Sequence, residues 1–229
     1  MKNHSTALGW ARKVLLICLL QVLTNQVYAN DVMTSDELLQ TFFSAVVADD
    51  VGQVKRALKA EIPVDSRDRQ GRTALLVATY HNAIETAKVL IAAGADVNAM
   101  DDQEDSPFLY AGAEGRLEIL KMTVASGADL DSVNRYGGTA LIPAAHYGHV
   151  ETVRYLLTTG INFDHVNKLG WTALLEAVIL GDGSPAYQEI VKLLLDAGAD
   201  AHIADRGGIT PLHHAQRSGQ EAIVRLLRN

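Results

Sequence analysis

An all-α protein is what this sequence predicts: a solenoid of helix–turn–helix units joined by short hairpin-like loops. Two recurrences carry that prediction. Thr73, Ser106, Thr139 and Thr172 follow one another at a spacing of 33 residues, with Thr210 after 38. Gly94, Gly127 and Gly160 keep the same step, and Gly198 follows after 38. Between these marks Leu and Ala recur at helical spacing, as in TALLVA (73–78) and TALLEAV (172–178). A fixed period of this length marks stacked units that each cover the apolar face of a neighbour.

Residues 1–29 are expected to be a cleaved signal peptide. Lys2, Arg12 and Lys13 precede or open an apolar run, Val14 to Leu23, broken only by Gln21, and no acid appears before Asp31. TNQVYA then places Val27 and Ala29 where a signal peptidase needs small residues. The run is shorter than the about 20 residues of a spanning helix, so no stable membrane anchor is expected after cleavage. Cys18, the one cysteine, lies in this segment, which leaves the remainder without a thiol, a disulfide or a Cys nucleophile. No Asn-x-Ser/Thr site follows residue 29. Together these features favour a bacterial periplasm as destination, with secretion as the alternative.

Residues 30–67 read as an N-terminal capping unit. DELLQTFFSAVVADDVGQVKRALKAEIPVD (36–65) keeps a two-helix rhythm with a turn expected at Gly52, while Lys55, Arg56 and Lys59 give its second helix a wet face. The full units are 68–100, 101–133, 134–166, 167–204 and 205–229, together one domain. In each, the Thr or Ser at the sixth position is expected to cap the first helix through its hydroxyl. Pro107 and Pro211 follow at the first helical position, where a missing N–H costs nothing. Gly94, Gly127, Gly160 and Gly198 are expected to end the second helices in a left-handed conformation. Arg217, Gln220, Arg225 and Arg228 give the last unit its own wet face. Unit four alone carries an insertion, GDGSPAYQ (181–188). Gly181, Gly183 and Pro185 forbid an uninterrupted helix there, so the excess must loop out or lengthen the helix ends.

GITPLHHA (208–215), YGHVETVRYLL (147–157) and AGADVNA (93–99) resemble the Gly-x-Thr-Pro-Leu-His opening, the Gly-His turn and the Gly-Ala-Asp-x-Asn ending of ankyrin repeats. The resemblance covers residues 68–229. It departs from the pattern at Glu104, where a turn glycine belongs, and at Ile161-Asn162 in place of Ala-Asp.

No catalytic constellation accompanies these repeats. There is no HExxH, no phosphate-binding glycine loop and no nucleophile elbow. His213 and His149 occupy structural positions of the repeat, and the pair His146 and His149 has no third ligand, so neither a metal nor any other cofactor is expected. DDQED (101–105) lacks the glycine and distal Glu of a calcium loop. The 27 Asp and Glu against 20 Lys and Arg disfavour nucleic acid, and removal of a leader holding three of the bases widens that excess.

The resemblance implies a binding surface of loop tips and first helices, with contacts at the second, third, fifth, thirteenth and fourteenth positions of each unit. In the first full unit these are Arg69, Arg72, Tyr80 and His81; in the second, Asp102, Asp105 and Glu114. The third supplies Arg135, Tyr136, His146 and Tyr147. The fourth supplies Lys168, Leu169, Trp171, Ile179 and Leu180, and the last Arg206, Ile209 and Arg217. Tyr136, Tyr147 and Trp171 are aromatic where the repeat requires no aromatic, which suits a binding hot spot. Tyr187, in the insertion, is a secondary contact candidate or a local packing residue. The expectation is a monomeric, non-enzymatic periplasmic module that binds another protein of the envelope, in its narrowest form an inhibitor or immunity-type protein that blocks an envelope enzyme. The alternative is an accessory factor that stabilises a periplasmic enzyme, such as one in oxidative defence.

Overall fold

The computed structural model describes residues 34–228; the expected signal peptide and residues 30–33 lie outside the described residues. Residues from Phe42 onward form one compact unit. Twelve helices occupy the described residues. They are α1 (Ser35–Val47), α2 (Val51–Lys59), α3 (Ala74–Tyr80), α4 (Ile84–Ala92), α5 (Pro107–Ala113), α6 (Leu117–Ala125), α7 (Leu141–His146), α8 (Val150–Leu156), α9 (Ala173–Ile179), α10 (Pro185–Asp196), α11 (Pro211–Arg217) and α12 (Glu221–Leu227). The first helices of the repeats, α3, α5, α7, α9 and α11, pack in sequence as one layer. Each also packs on the second helix of its own unit. The hydrophobic core lies between the layers, where Leu75, Phe108, Leu141 and Leu174 occupy the same repeat position and leave at most 1% of their surface open. Burying such a side chain stabilises the fold by roughly 2–3 kcal/mol.

The expected caps form in four of five full units. The hydroxyls of Thr73, Ser106, Thr172 and Thr210 each accept a hydrogen bond from the backbone N–H three residues on. Thr139 does not cap: its hydroxyl is buried and unpaired among the described residues, and α7 begins only at Leu141. The reason is Pro143. In the other units the residue at that position donates its N–H to the capping residue's carbonyl: Val77 to Thr73, Tyr110 to Ser106, Glu176 to Thr172 and His214 to Thr210. Proline has no N–H to give. The turn tightens instead, with the Ile142 N–H donating to the Thr139 carbonyl.

Gly94, Gly127, Gly160 and Gly198 adopt φ of 89°, 87°, 88° and 99°, as expected of helix-ending glycines. The capping unit differs from expectation at its turn. Gly52 lies inside α2, and the left-handed residue between the two helices is Asp49, with φ of 52°. Asp49 corresponds to Asn82, Gly115, Gly148 and Gly219 in later units, all with positive φ. Glu104 takes the left-handed conformation itself, with φ of 63°, where other fingers have Gly.

Each finger is built around one short side chain. Asp68, Asp101, Asn134, Asn167 and Asp205 stand first in their units, and the Oδ1 of each accepts the N–H groups two and four residues later, at 2.8–3.1 Å. This local acceptor replaces the missing sheet partners of a loop. Fingers are also tied to one another. Lys168 Nζ donates to the Arg135 carbonyl at 2.9 Å, and the Arg206 guanidinium donates to the Lys168 carbonyl.

The insertion does both things open to it. Gly181, Asp182 and Gly183 form a loop, and from Pro185 onward the extra chain lengthens the second helix to 12 residues, against 9 in α4 and α6. It is pinned on two sides. The Tyr187 hydroxyl donates to the His146 carbonyl at 2.7 Å, and Gln220 Nε2 donates to the Val178 and Gly181 carbonyls at 3.1 and 3.0 Å.

A candidate protein-binding cleft

The first helices and fingers of units two to four enclose a cleft of about 330 Å³. Eight of the expected contact residues, Asp105, Glu114, Arg135, Tyr136, His146, Tyr147, Leu169 and Leu180, line it. Tyr136 and Tyr147 each leave 57% of their surface open, Leu169 51% and Leu180 42%. That is unusual for four large apolar groups around one cleft, since single exposed apolar residues are ordinary but clustered ones mark contact sites. Tyr147 stacks on His146, with ring centroids 4.3 Å apart, and Arg135 lies over the Tyr136 ring at 5.0 Å. The Tyr187 hydroxyl bond anchors the end of α7, which presents His146, so the insertion acts on the cleft as a strut.

The other expected contact residues fall outside the cleft lining. Trp171 is half-buried at the base of its finger, where its backbone N–H donates to Asn167 Oδ1 at 3.0 Å. Tyr80 stacks on Tyr110 at 3.8 Å, and the Arg72 guanidinium lies over the Tyr80 ring at 5.3 Å. Burial, helped by the nearby Asp105 and Asp101 charges, pushes the Tyr80 hydroxyl up to about 12. His81 is exposed at the end of α3, and Ile179 is half-buried at the end of α9. Lys168 and Arg206 are exposed but bound to neighbouring fingers, as described above.

Sequence reasoning passed over Glu176. It stands at the inner face of α9, lines the cleft, and leaves only 4% of its surface open. Its Oε1 accepts a hydrogen bond from Asn167 Nδ2 at 3.0 Å. Its Oε2 lies 3.2 Å from His146 Nδ1, off the line a hydrogen bond needs, and accepts none among the described residues. Burial holds the His146 imidazole below its ordinary value, which disfavours the charged form that would balance the acid. Burial raises the Glu176 carboxyl above its ordinary range, opposed by the Asn167 hydrogen bond. The same two positions in unit five are Asp205 and His214, with His214 Nε2 2.8 Å from Asp205 Oδ2. Donor and acceptor have changed places, and there both partners are satisfied.

A carboxyl raised by folding favours the folded state fully at pH values below its unfolded range, and that contribution is lost as pH rises through the raised value. At neutral pH Glu176 therefore costs stability. Glu176→Gln, which keeps the shape and an acceptor for Asn167, is expected to raise the melting temperature at pH 7. The gain is about 1 kcal/mol, or roughly 2–4 °C for a chain of this size. Melts at pH 7 and pH 4 check it, since the gain should shrink at the lower pH.

Among the described residues no group of three or more His, Cys, Asp or Glu is placed to hold a metal ion, and no helix is long and apolar enough to cross a membrane.

Comparison with known proteins agrees with this architecture. A family model of three ankyrin repeats matches residues 14–101 and 108–205, and a model of many ankyrin repeats matches 184–228. The first match begins inside the segment expected to be a signal peptide. A crystal structure of an ankyrin repeat domain from Acinetobacter baumannii AYE is 58% identical, covers 82% of this chain and 95% of that one, and superposes with a TM-score of 0.80. The ankyrin repeat protein EF0377 is 44% identical over 82% of this chain and 96% of its own, with a TM-score of 0.79. The ankyrin repeat protein YahD of Escherichia coli K12 is 47% identical over 51 residues, which span 22% of this chain and 25% of that protein. The chain belongs to the ankyrin-repeat family, whose arrays are protein–protein interaction modules.

Proposed function

We propose that the cleft of units two to four docks a partner protein, and that the chain works as a monomeric, exported, non-enzymatic binding module. The observation that carries this is the set of exposed Tyr136, Tyr147, Leu169 and Leu180 around one cleft, none of them needed to hold the repeat together. Export rests on the leader-like residues 1–29 and places the partner in the bacterial envelope. Within that setting the chain acts as an inhibitor or immunity-type protein, covering the active site of an envelope enzyme; a small array that presents one cleft suits this task.

The test uses the full chain, expressed with its own leader, followed by envelope fractionation and recovery of bound proteins. The chain is expected in the periplasmic fraction, holding one enzyme whose activity falls on mixing. Stabilisation of that enzyme without inhibition would replace the inhibitor by an accessory factor. Tyr136→Ala combined with Tyr147→Ala is expected to weaken retention at least about tenfold, with an unchanged circular dichroism melt. Unchanged retention would remove the cleft from the interface, and recovery from the cytosol would remove the export step.

A further inference from the structure

We propose that Glu176 is the floor of a pocket that receives one basic side chain, lysine or arginine, from the docked partner; this rests on the docking role of the cleft and names the chemistry it selects.

Three independent observations point the same way. The Glu176 side chain is 6% exposed, yet its Oε2 has no hydrogen-bond donor among the described residues. A buried, half-satisfied carboxylate is costly, and a charged donor arriving from outside removes the cost. The repeat does not require an acid there: the equivalent positions hold Val77, Tyr110, Pro143 and His214. Of these, His214 is already closed against the Asp205 carboxylate.

No lining side chain supplies that donor: His146 Nδ1, 3.2 Å away, makes no hydrogen bond to Oε2. Arg135, the one lining cation, is engaged with Asp105 Oδ2 at 3.3 Å and Gln103 Oε1 at 3.4 Å. Against it stand three acids in the lining, Asp105, Glu114 and Glu176, so the cleft has an acid excess.

The walls suit the stem of such a side chain. Ile142, Pro143, Leu169 and Leu180 offer apolar surface, and Tyr136 and Tyr147 add aromatic faces. Lysine and arginine bury their methylene stems along surfaces of this kind while the charged head seeks an acceptor, and aromatic faces attract the cation. An acidic or purely apolar residue would leave Oε2 unpaired and more deeply desolvated, so the pocket selects against both.

The test selects displayed random peptides on the immobilised full chain, then titrates the winners by calorimetry. Enriched peptides are expected to share one basic position. Replacing that residue by its neutral counterpart, citrulline for arginine or acetyl-lysine for lysine, should weaken binding about 30-fold. Glu176→Gln should weaken the basic peptide by a similar factor while leaving the neutral peptide unchanged, and a melt shows that this variant is folded. Peptides that depend on Tyr136 and Tyr147 but share no basic position, or that bind the Glu176→Gln chain equally well, overturn the pocket and leave the docking cleft standing. Peptides indifferent to both tyrosines, or no enrichment over the double tyrosine variant, overturn both.

Discussion

Asn167→Asp is expected to destabilise the array by about 3 kcal/mol at pH 7, a fall in melting temperature of roughly 6–12 °C. The substitution keeps the side chain's size and shape and changes one group, replacing by an oxygen the amide nitrogen that donates to Glu176 Oε1 at 3.0 Å. An aspartate at 167 would still accept the Leu169 and Trp171 N–H groups, so the finger would keep its frame. Its second oxygen, however, would face the Glu176 carboxylate with no proton between them, at a site where Asn167 is 7% and Glu176 4% exposed. Two carboxylates so placed cannot both ionise cheaply, and the pair takes up a proton well above the ordinary carboxylate range. The sign follows: both groups are raised by folding, so the penalty grows as pH rises through the raised values and shrinks in acid, where a shared proton supplies the lost donor. Thermal melts at pH 7 and pH 4.5 read the difference. Unit five prescribes the rescue. With Glu176→His added, the pair becomes Asp over His, the combination that Asp205 and His214 form at 2.8 Å, and most of the stability should return. No recovery in the double variant would mean that the two positions do not act as a pair.

Much of this architecture was legible in the sequence, because the cues are local. A hydroxyl before a helix and a glycine after one act within a few residues, and four of five caps and all four helix-ending glycines are where the period places them. The exceptions also have local causes, but ones that compete. Pro143 overrides the cap at Thr139 because the proline lacks the N–H that the capping residue's carbonyl would accept. Asp49 rather than Gly52 makes the first turn, since Asn and Asp tolerate the left-handed region when their side chains find partners. Asp49 Oδ1 accepts the Thr86 N–H at 2.9 Å, a bond to the next unit that no local pattern announces.

The cleft was legible only in part, for the same reason. Tyr136, Tyr147, Leu169 and Leu180 stand at expected contact positions, and their exposure follows from the repeat geometry. Lys168 and Arg206 stand at such positions too, yet each reaches back to a carbonyl of the preceding finger, a contact about one full period away in sequence. Glu176 drew no attention because an acid among apolar residues in TALLEAV reads as the solvent side of a helix. Its burial depends on Asn167, nine residues earlier, and on His146 of the unit before. A comparison of the first and tenth residues of every unit would have exposed the pair, since Asn167–Glu176 and Asp205–His214 each set a carboxylate against an amide or an imidazole.

Gly112→Val should have an effect at least as large as Asn167→Asp, about 3 kcal/mol or more, and it should act on stability and docking together. Gly112 lies in α5 at the repeat position held elsewhere by Thr79, Ala145 and Val178, so a side chain is not excluded by the repeat as such. It is excluded by the neighbour. A Cβ at 112 would sit 2.7 Å from the Ala140 Cβ and 3.1 Å from the Ala140 carbonyl oxygen, in the turn that Pro143 has tightened ahead of α7. The contact lies between units two and three, whose first helices also line the cleft, so relief comes by moving one unit away from the other. In a one-dimensional array that loss is felt as a weakened interface between neighbours rather than as a local cavity. Gly112→Ala separates the two terms. It regains up to about 1 kcal/mol of helix propensity but adds the clashing methyl, so it should cost less than valine. Combined with Ala140→Gly, which removes the nearer of the two atoms, it should recover part of the loss, while the valine variant should not be rescued. Denaturant melts of the four variants measure the stability side. Retention of the partner by Gly112→Val at a temperature where it is still folded measures the other: a normal value would show that the docked protein does not depend on the spacing of units two and three, and would place its contacts outside the cleft.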